Sequence, residues 1–302
     1  MIPVKTTPVT AAFLRDSHPL PDHAGGGSKE ARGRVLVVGG CVSVPGAALL
    51  AAQAALRVGA GKLQVATVRS VAPAMALLLP EAMVMGFDET GDGDIGPAAA
   101  PALVKAANKV GGLALGPGMM TGDDTKGLIA AMLEGIDGVP MVLDAGALDG
   151  LADRPELLHR HEGRIVITPH TGEMAHLLGL PIEEIEADKL AHARVVAARL
   201  RCVVVMKGSG TEIVVPDGET WEYTGGTVGL ATSGSGDVLA GLIAGLLARG
   251  LEPLVAAAWG VFLHGEAGGR LVRRDGGIGF LARELPGEVP AIMGMLCGNV
   301  DA

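Results

Sequence analysis

Val35-Leu36-Val37-Val38-Gly39-Gly40-Cys41-Val42-Ser43-Val44-Pro45-Gly46-Ala47-Ala48-Leu49-Leu50-Ala51-Ala52-Gln53-Ala54-Ala55-Leu56 runs for 22 residues without a charge. That is long enough to cross a bilayer as one helix. Its punctuation argues otherwise. Gly39-Gly40 and Pro45-Gly46 break the run, and Gln53 interrupts the rest. The stretch therefore reads as a buried strand, a glycine turn and a buried helix. The glycine spacing from Gly40 to Gly46 is reminiscent of a P-loop, yet Ala47-Ala48 stand where its Lys-Ser/Thr would touch phosphate and magnesium. No GxGxxG follows the strand either, which weakens a dinucleotide fold of the Rossmann type.

Outward from that unit, short β-branched or aliphatic runs recur at 34–38, 62–68, 113–115, 141–143, 164–168 and 202–206. Helical patterns separate most of them, at 47–58, 98–109, 123–133, 171–178 and 182–200. Near-continuous apolar strands alternating with helices predict an α/β fold, a mostly parallel central sheet with helices on both faces. Segments 211–215 and 220–223, joined by Pro216-Asp217-Gly218-Glu219, predict a hairpin. Residues 237–295 read as largely helical. A single domain is expected over residues 34–302, after an irregular segment 1–33 with Gly25-Gly26-Gly27 as a flexible joint. Strands end in conspicuous turns: Gly39-Gly40, Gly116-Pro117-Gly118, Asp144-Ala145-Gly146, Thr168-Pro169-His170 and Lys207-Gly208-Ser209-Gly210. Ligands of open α/β sheets bind beyond the carboxyl ends of the strands, so these turns are expected to converge on one crevice.

The chain is 49% apolar with 47 glycines, but holds only four Phe, two Trp and one Tyr. Its core must be aliphatic, and an adenine ring will find few aromatic faces. Net charge is −9, with no basic block, which argues against nucleic acid as a partner. Phosphate would be bound locally, by amides or a metal ion. Cys41, Cys202 and Cys297 are odd in number and share no metal-ligand spacing, which suits a reducing cytosol. His159 and His161 sit beside charged residues and read as a solvated loop. Residues 1–21 contain no apolar core of signal-peptide length, so a cytoplasmic protein without a membrane anchor is expected.

Phosphate binding falls to Gly234-Ser235-Gly236-Asp237, which ends a turn-rich stretch and opens an apolar helix expected over 238–248. Two glycines let backbone N–H groups approach a ligand, and a first helical turn adds unpaired amides and the positive end of the dipole. A carboxylate at that mouth repels phosphate. Asp237 therefore reads either as a base beside a phosphate cradle or as a plain N-cap. Lys207-Gly208-Ser209-Gly210-Thr211 reads as a nucleotide-binding turn or as a solvated lysine in a tight turn. In Thr168-Pro169-His170-Thr171-Gly172-Glu173, the carboxylate of Glu173 either orients magnesium-bound water or complements the helix dipole. Gly116-Pro117-Gly118 lets a substrate approach the backbone or simply turns sharply. Asp144 reads as a strand-end polar residue capping a loop, and Gly241 and Gly245 as sites of close helix packing.

Taken in order, these motifs closely resemble the ADP-dependent NAD(P)H-hydrate dehydratase family, whose fold is ribokinase-like. The resemblance runs from about Gly33 to Gly268. It rests on Gly39-Gly40 with Pro45-Gly46-Ala47-Ala48, Arg57-Val58-Gly59-Ala60-Gly61, Gly116-Pro117-Gly118 and Asp144-Ala145-Gly146-Ala147-Leu148. It continues through the Thr168–Glu173 and Lys207–Thr211 motifs, Gly234-Ser235-Gly236-Asp237-Val238-Leu239-Ala240-Gly241 and His264-Gly265. The resemblance implies a repair reaction. The S epimer of hydrated NADH or NADPH is dehydrated back, with ADP consumed and AMP and phosphate released. It also implies Asp237 as the base that takes the hydroxyl proton, with the amides of Gly234, Ser235 and Gly236 stabilising the transferring phosphoryl group.

By the same resemblance, Lys207, Gly208, Ser209, Gly210, Thr211 and Gly236 would bind the adenine nucleotide. Ala47, Gly118 and His170, with Asp237, would contact the hydrated cofactor, and Glu173 would organise Mg²⁺ through water. A homo-oligomer, taken as a tetramer, and an NAD(P)H-hydrate epimerase on a separate chain complete the expectation. Two departures stand out. Gly226 follows Thr224-Gly225 where members often carry Asn, and Ser233 occupies a common glycine position. An ATP-dependent ribokinase-like kinase of a small vitamin-precursor alcohol would keep Asp237 and the cradle but stop at the phosphate ester. A non-catalytic nucleotide sensor would have no use for the base.

Overall fold

The computed structural model describes residues 6–21 and 28–297. Its strands are β1 (Thr6–Pro8), β2 (Arg34–Val38), β3 (Lys62–Val68), β4 (Ala82–Phe87), β5 (Gly112–Leu115), β6 (Met141–Leu143), β7 (Ile165–Ile167), β8 (Val203–Met206), β9 (Thr211–Val214) and β10 (Thr220–Tyr223). They form one sheet in the order β1-β10-β9-β8-β7-β6-β5-β2-β3-β4. Neighbours are parallel throughout, except that β9 is antiparallel to both β8 and β10. The helices are α1 (Ala11–Ser17), α2 (Pro45–Arg57), α3 (Ala72–Leu78), α4 (Ala100–Ala107), α5 (Asp123–Gly135), α6 (Glu156–His159), α7 (Thr171–Leu178), α8 (Ile182–Ala187), α9 (Lys189–Leu200), α10 (Ser235–Ala248), α11 (Pro253–Asp275) and α12 (Leu285–Cys297).

Side-chain alternation along the strands sorts the core into two layers. In β2, Val35 and Val37 join the layer that contains α1, α2, α10, α11 and α12, whereas Leu36 and Val38 join the layer of α4 to α9. The expected parallel sheet with both faces covered is what the chain builds. From β2 the chain steps outward to β3 and β4. β5 then lies on the other side of β2, and β6, β7 and β8 step away in the opposite direction. That reversal between β2 and β5 opens a crevice beyond the carboxyl ends of the strands. The uncharged stretch 35–56 is the unit β2, turn and α2. No helix among the described residues is long and apolar enough to cross a membrane.

Helix α10 lies against α2 at very short range. A Cβ at Gly241 would stand 2.1 Å from the Ala51 carbonyl oxygen, and one at Gly245 would stand 2.7 Å from that of Ala55. Those two glycines serve packing, as expected. Every residue of α10 is buried except Gly236 and Asp237 at its mouth.

Several expectations need correction. The described part of segment 1–33 includes β1, parallel to β10, and α1, whose N-cap Thr10 accepts from the Phe13 amide at 3.1 Å. The Trp259 indole N–H donates to the His18 carbonyl at 2.7 Å and pins this segment to α11. The Gly25-Gly26-Gly27 joint lies outside the described residues. The helix expected over 182–200 is two helices, because Asp188 leaves the helical backbone and its Oδ1 caps α9 by accepting from Ala191 N at 2.9 Å. His161 is not in a solvated loop. It is buried, with Nε2 3.0 Å from the Leu133 carbonyl oxygen, and burial pushes its pKa down. Cys41 and Cys202 are buried free thiols.

Candidate active site

The turns after β2, β5 and β6 interlock through their backbones. Gly40 N–H donates to Pro117 O at 2.7 Å, and Gly116 N–H donates to Val38 O at 3.0 Å. A Cβ at Gly39 would lie 2.2 Å from Pro117 O, and one at Gly116 would lie 1.9 Å from Asp144 O. Gly118 and Ala47 are brought together, since a Cβ at Gly118 would stand 2.7 Å from that of Ala47. The turns converge, but on this side their glycines are demanded by the protein's own backbone.

Across the crevice, beyond β6, β7 and β8, the edge is charged. Lys207 Nζ leaves β8 and lies 3.1 Å from Asp144 Oδ1 and 3.3 Å from Glu173 Oε2. Thr168 Oγ1, at the end of β7, donates to the same Asp144 Oδ1 at 2.6 Å. Asp144 is therefore not a simple loop cap. It makes no capping bond in the turn it opens, and it joins β6 to β7 and β8. Burial works against the Lys207 ammonium, but the two facing carboxylates and their hydrogen bonds outweigh it and hold the pKa above that of an ordinary lysine.

The mouth of α10 opens onto this cluster. Gly234, not Asp237, is the N-cap; it adopts φ 86° and makes no side-chain capping bond. The helix starts at Ser235, three residues earlier than expected, which puts Asp237 in the first turn and frees its carboxylate from capping. A Cβ at Gly236 would sit 3.4 Å from Lys207 Nζ and 4.0 Å from Asp144 Oδ2. Gly236 thus leaves a gap between the first-turn amides and the charged floor. Burial pushes the Asp237 carboxyl up to about 7, helped by the charges of Asp144 and Glu173 and opposed by Lys207. Such a group holds or releases a proton near neutral pH, as a general base must. Ser235 Oγ lies 2.9 Å from His264 Nε2 on α11.

The other expected site residues fall around this centre. His170 is the N-cap of α7, and its Nδ1 accepts from the amides of Gly172 (2.9 Å) and Glu173 (3.2 Å). Glu173 returns the bond by accepting from His170 N at 2.8 Å, completing a capping box. Its dipole-side role and its place in the charged cluster coexist. Lys207 is not a solvated turn residue, because its ammonium is committed to two carboxylates. Gly208 and Ser209 are exposed, with Gly210 and Thr211 half-buried beside them. A Cβ at Gly226 would make an ordinary 3.5 Å contact with Ser209 O, so the departure at Gly226 borders this turn. Gly118 packs on Val44, Ala47 and Gly40, away from the charged floor. Ala47 shares α2 with Leu50, against which Gly234 packs, and Gly118 shares its turn with Gly116, which approaches Asp144 O.

The donor set suits a magnesium ion held through water. No group of three or more His, Cys, Asp or Glu among the described residues is close enough to cage a metal directly. However, Mg²⁺ keeps several waters and takes only one or two carboxylates. The hydrogen bonds and ion pairs above fall on Asp144 Oδ1 and Glu173 Oε2, leaving Asp144 Oδ2 and Glu173 Oε1 outside them. Three carboxylates face one ammonium here, so an incoming polyphosphate calls for further positive charge.

Sequence reading did not foresee Asp144 as the hub of the charged floor, nor any role for His264. Their partners stand 63 and 29 residues away in the chain, where no local pattern reaches.

The model of a family described as NAD(P)H-hydrate dehydratase matches residues 35–290 of this chain. A relative from Xanthomonas campestris pv. campestris, named ADP-dependent (S)-NAD(P)H-hydrate dehydratase, is 49% identical over 95% of this chain and 96% of its own length. The solved structure of an ADP/ATP-dependent NAD(P)H-hydrate dehydratase from Bacillus subtilis, co-crystallised with ATP and Mg²⁺, matches with TM-score 0.80 at 29% identity, covering 98% of this chain and 100% of that one. A ribokinase-like superfamily protein from Enterococcus faecalis V583 matches with TM-score 0.82 at 26% identity, covering 96% of each chain.

Proposed function

The chain belongs to the NAD(P)H-hydrate dehydratase family, and from that membership we propose that it restores NADH and NADPH from the S form of their hydrates, with Asp237 as the base. It is an ADP-dependent enzyme of ribokinase-like fold. The observation that carries the reading is a carboxyl pushed up to about 7 at the open mouth of an otherwise buried helix, facing an ammonium held between two carboxylates.

Hydroxide leaves a ring poorly, so the hydroxyl is first phosphorylated. Ionised Asp237 takes the hydroxyl proton, and the oxygen attacks the terminal phosphorus of ADP. The bond to the bridging oxygen breaks, and AMP departs with its electron pair. Amides at Gly234 and Gly236 meet the charge on the transferring group, a task of positioning and electrostatics, while that of Ser235 donates to Thr232 O at 3.2 Å and braces the turn. The lone pair of the ring nitrogen then expels phosphate, which keeps the C–O bonding pair. Loss of a proton from the adjacent ring carbon restores the reduced nicotinamide. General base assistance of this kind contributes roughly 10²–10⁴-fold.

In this reading the turn Lys207, Gly208, Ser209, Gly210 and Thr211 meets the nucleotide with its exposed backbone, while the Lys207 side chain organises the floor. Ala47, Gly118 and His170 face the hydrated cofactor. Asp144 and Glu173 are the residues that would hold Mg²⁺ through water, and the ion would supply neutralising charge for the nucleotide phosphates. The remaining parts of the reading rest on family likeness. They are one catalytic domain that takes in β1 and α1 together with residues 34–302, a cytoplasmic homotetramer, and an epimerase on another chain.

The test is direct. Purified protein is mixed with hydrated NADH, ADP and Mg²⁺, and absorbance of the reduced nicotinamide is followed. Recovery is expected, with one AMP and one phosphate per NADH. Absence of recovery with both ADP and ATP sinks the reading, and accumulation of a stable phosphate ester would favour a kinase.

A further inference from the structure

The run Gly234-Ser235-Gly236 has a mechanical problem. Two of its three residues lack side chains; the Ser235 amide donates to Thr232 O at 3.2 Å, and the Gly236 amide has no side chain of its own residue to anchor it. Glycine carries the largest backbone freedom of any residue, and Gly234 sits in the left-handed region. Its carbonyl accepts from Val238 N at 3.2 Å, but it has no side chain to brace the turn. Ser235 is the run's only side chain. It is 5% exposed, and its hydroxyl is spent on a bond to His264 Nε2 at 2.9 Å, across to α11.

We propose that His264 is a positioning residue that clamps the phosphate cradle: through Ser235 it fixes the first turn of α10, and with it the Gly236 amide and the aim of the adjacent Asp237. Three observations support the clamp. The bond joins two separate helices, so it orients the mouth of α10 against a rigid neighbour; α11 is a helix of 23 residues. His264 also stays neutral. Burial pushes its imidazole down to about 4, more than its hydrogen bond to Ser235 raises it, and the charge of Lys207 adds to the lowering. A neutral anchor adds no cation to compete with Lys207 for phosphate. Finally, the next residue is Gly265, where a Cβ would stand 2.2 Å from the Tyr223 ring, so the helix is seated tightly at this turn.

The expected cost of losing the clamp follows from geometry. A misplacement of about 1 Å at a reacting centre costs on the order of 10²-fold in rate. The test uses Ser235→Ala, His264→Phe, His264→Gln and the double variant Ser235→Ala/His264→Phe. Each of Ser235→Ala and His264→Phe is expected to lower kcat for hydrated NADH by about 10–10²-fold, with little change in the KM for ADP. The double variant should be no worse than the poorer single one, and His264→Gln, whose amide can either donate or accept, should recover most of the loss. Additive losses, or wild-type kcat in His264→Phe, would overturn the clamp.

The kinetic arm rests on the proposed function, so a second arm is independent of it. Amide hydrogen exchange, read by mass spectrometry in the full-length protein without substrate, should speed up about tenfold or more in peptides spanning 232–238 of His264→Phe, and not in β2 to β8. Unchanged exchange at 232–238, or acceleration spread over the whole fold, would overturn the clamp. If the wild-type protein fails to act on hydrated NADH, the proposed function falls while this second arm still decides the clamp.

Discussion

On the side of the crevice formed by β2, β5 and β6, a Cβ at Gly116 would meet Asp144 O at 1.9 Å and one at Gly118 would meet Val44 O at 2.6 Å. At the mouth of α10, a Cβ at Gly236 would meet only Lys207 Nζ at 3.4 Å and Asp144 Oδ2 at 4.0 Å. Both are glycine turns at one edge of one sheet, yet they solve different problems. On the first side, backbone already fills the space that a side chain would need, so glycine there keeps the fold. On the second, glycine leaves a gap between amides and charge, and that gap is where a phosphoryl group fits. Glycine content alone does not separate the two uses. What lies beyond the missing Cβ does.

The comparison breaks most visibly at Gly116. Gly116→Ala forces a Cβ into a carbonyl and strains a residue at φ 113°. A loss above about 3 kcal/mol is expected, read by urea unfolding, or failure to fold. A loss below about 1 kcal/mol would show that the turn yields. Next in size is Lys207→Met, which leaves Asp144 and Glu173 facing each other without their cation. Turnover should fall by roughly 10²-fold. Because Lys207 holds the Asp237 pKa down, the midpoint of the pH–rate profile should also move to higher pH. A midpoint that stays put would uncouple Lys207 from the base. Gly236→Ala is milder, with stability nearly unchanged and kcat about tenfold lower, since the methyl group occupies the gap and crowds the ammonium. Equal kcat would mean that the gap is not where phosphate sits.

The same contrast also shows in stability against pH. The Asp237 carboxyl moves from 3.8 to about 7 on folding, so between these values the native state holds a proton that the unfolded chain has released. Stability therefore falls as pH rises through that window, and the penalty is complete above it. His264 works with the opposite sign. Its pKa falls from 6.5 to about 4, so stability is lost as pH drops through that range. The two slopes offset each other over their shared range. Asp237→Asn removes the first, so at pH 8 it should be more stable than wild type by about 2–4 kcal/mol, an advantage that vanishes near pH 4. Thermal melts at both values check this, and a variant less stable at pH 8 would contradict the burial of the carboxyl.

Much of the fold was legible because its strands are short apolar runs bounded by glycine turns. β2, β3, β6 and β10 begin and end where the pattern said. β4 was missed because it is a half-exposed edge strand, Ala-Met-Val-Met-Gly-Phe, without a clear alternation. β1 was missed because three residues, Thr-Thr-Pro, become a strand only by pairing with β10. The site divides in the same way. Asp237, Glu173, Lys207 and the glycine run lie in local motifs. Asp144 and His264 declare themselves only through Lys207 and Ser235, after the chain has folded. The position of Asp237 within its helix was also out of reach, since a left-handed Gly234 moved the start of the helix to Ser235.

The most direct test of the base is Asp237→Asn, assayed for ADP binding by calorimetry and for AMP release with hydrated NADH and Mg²⁺. ADP affinity within about threefold of wild type is expected, with AMP release and NADH recovery both down by roughly 10²–10⁴-fold. Turnover near that of wild type would show that Asp237 does not take the hydroxyl proton.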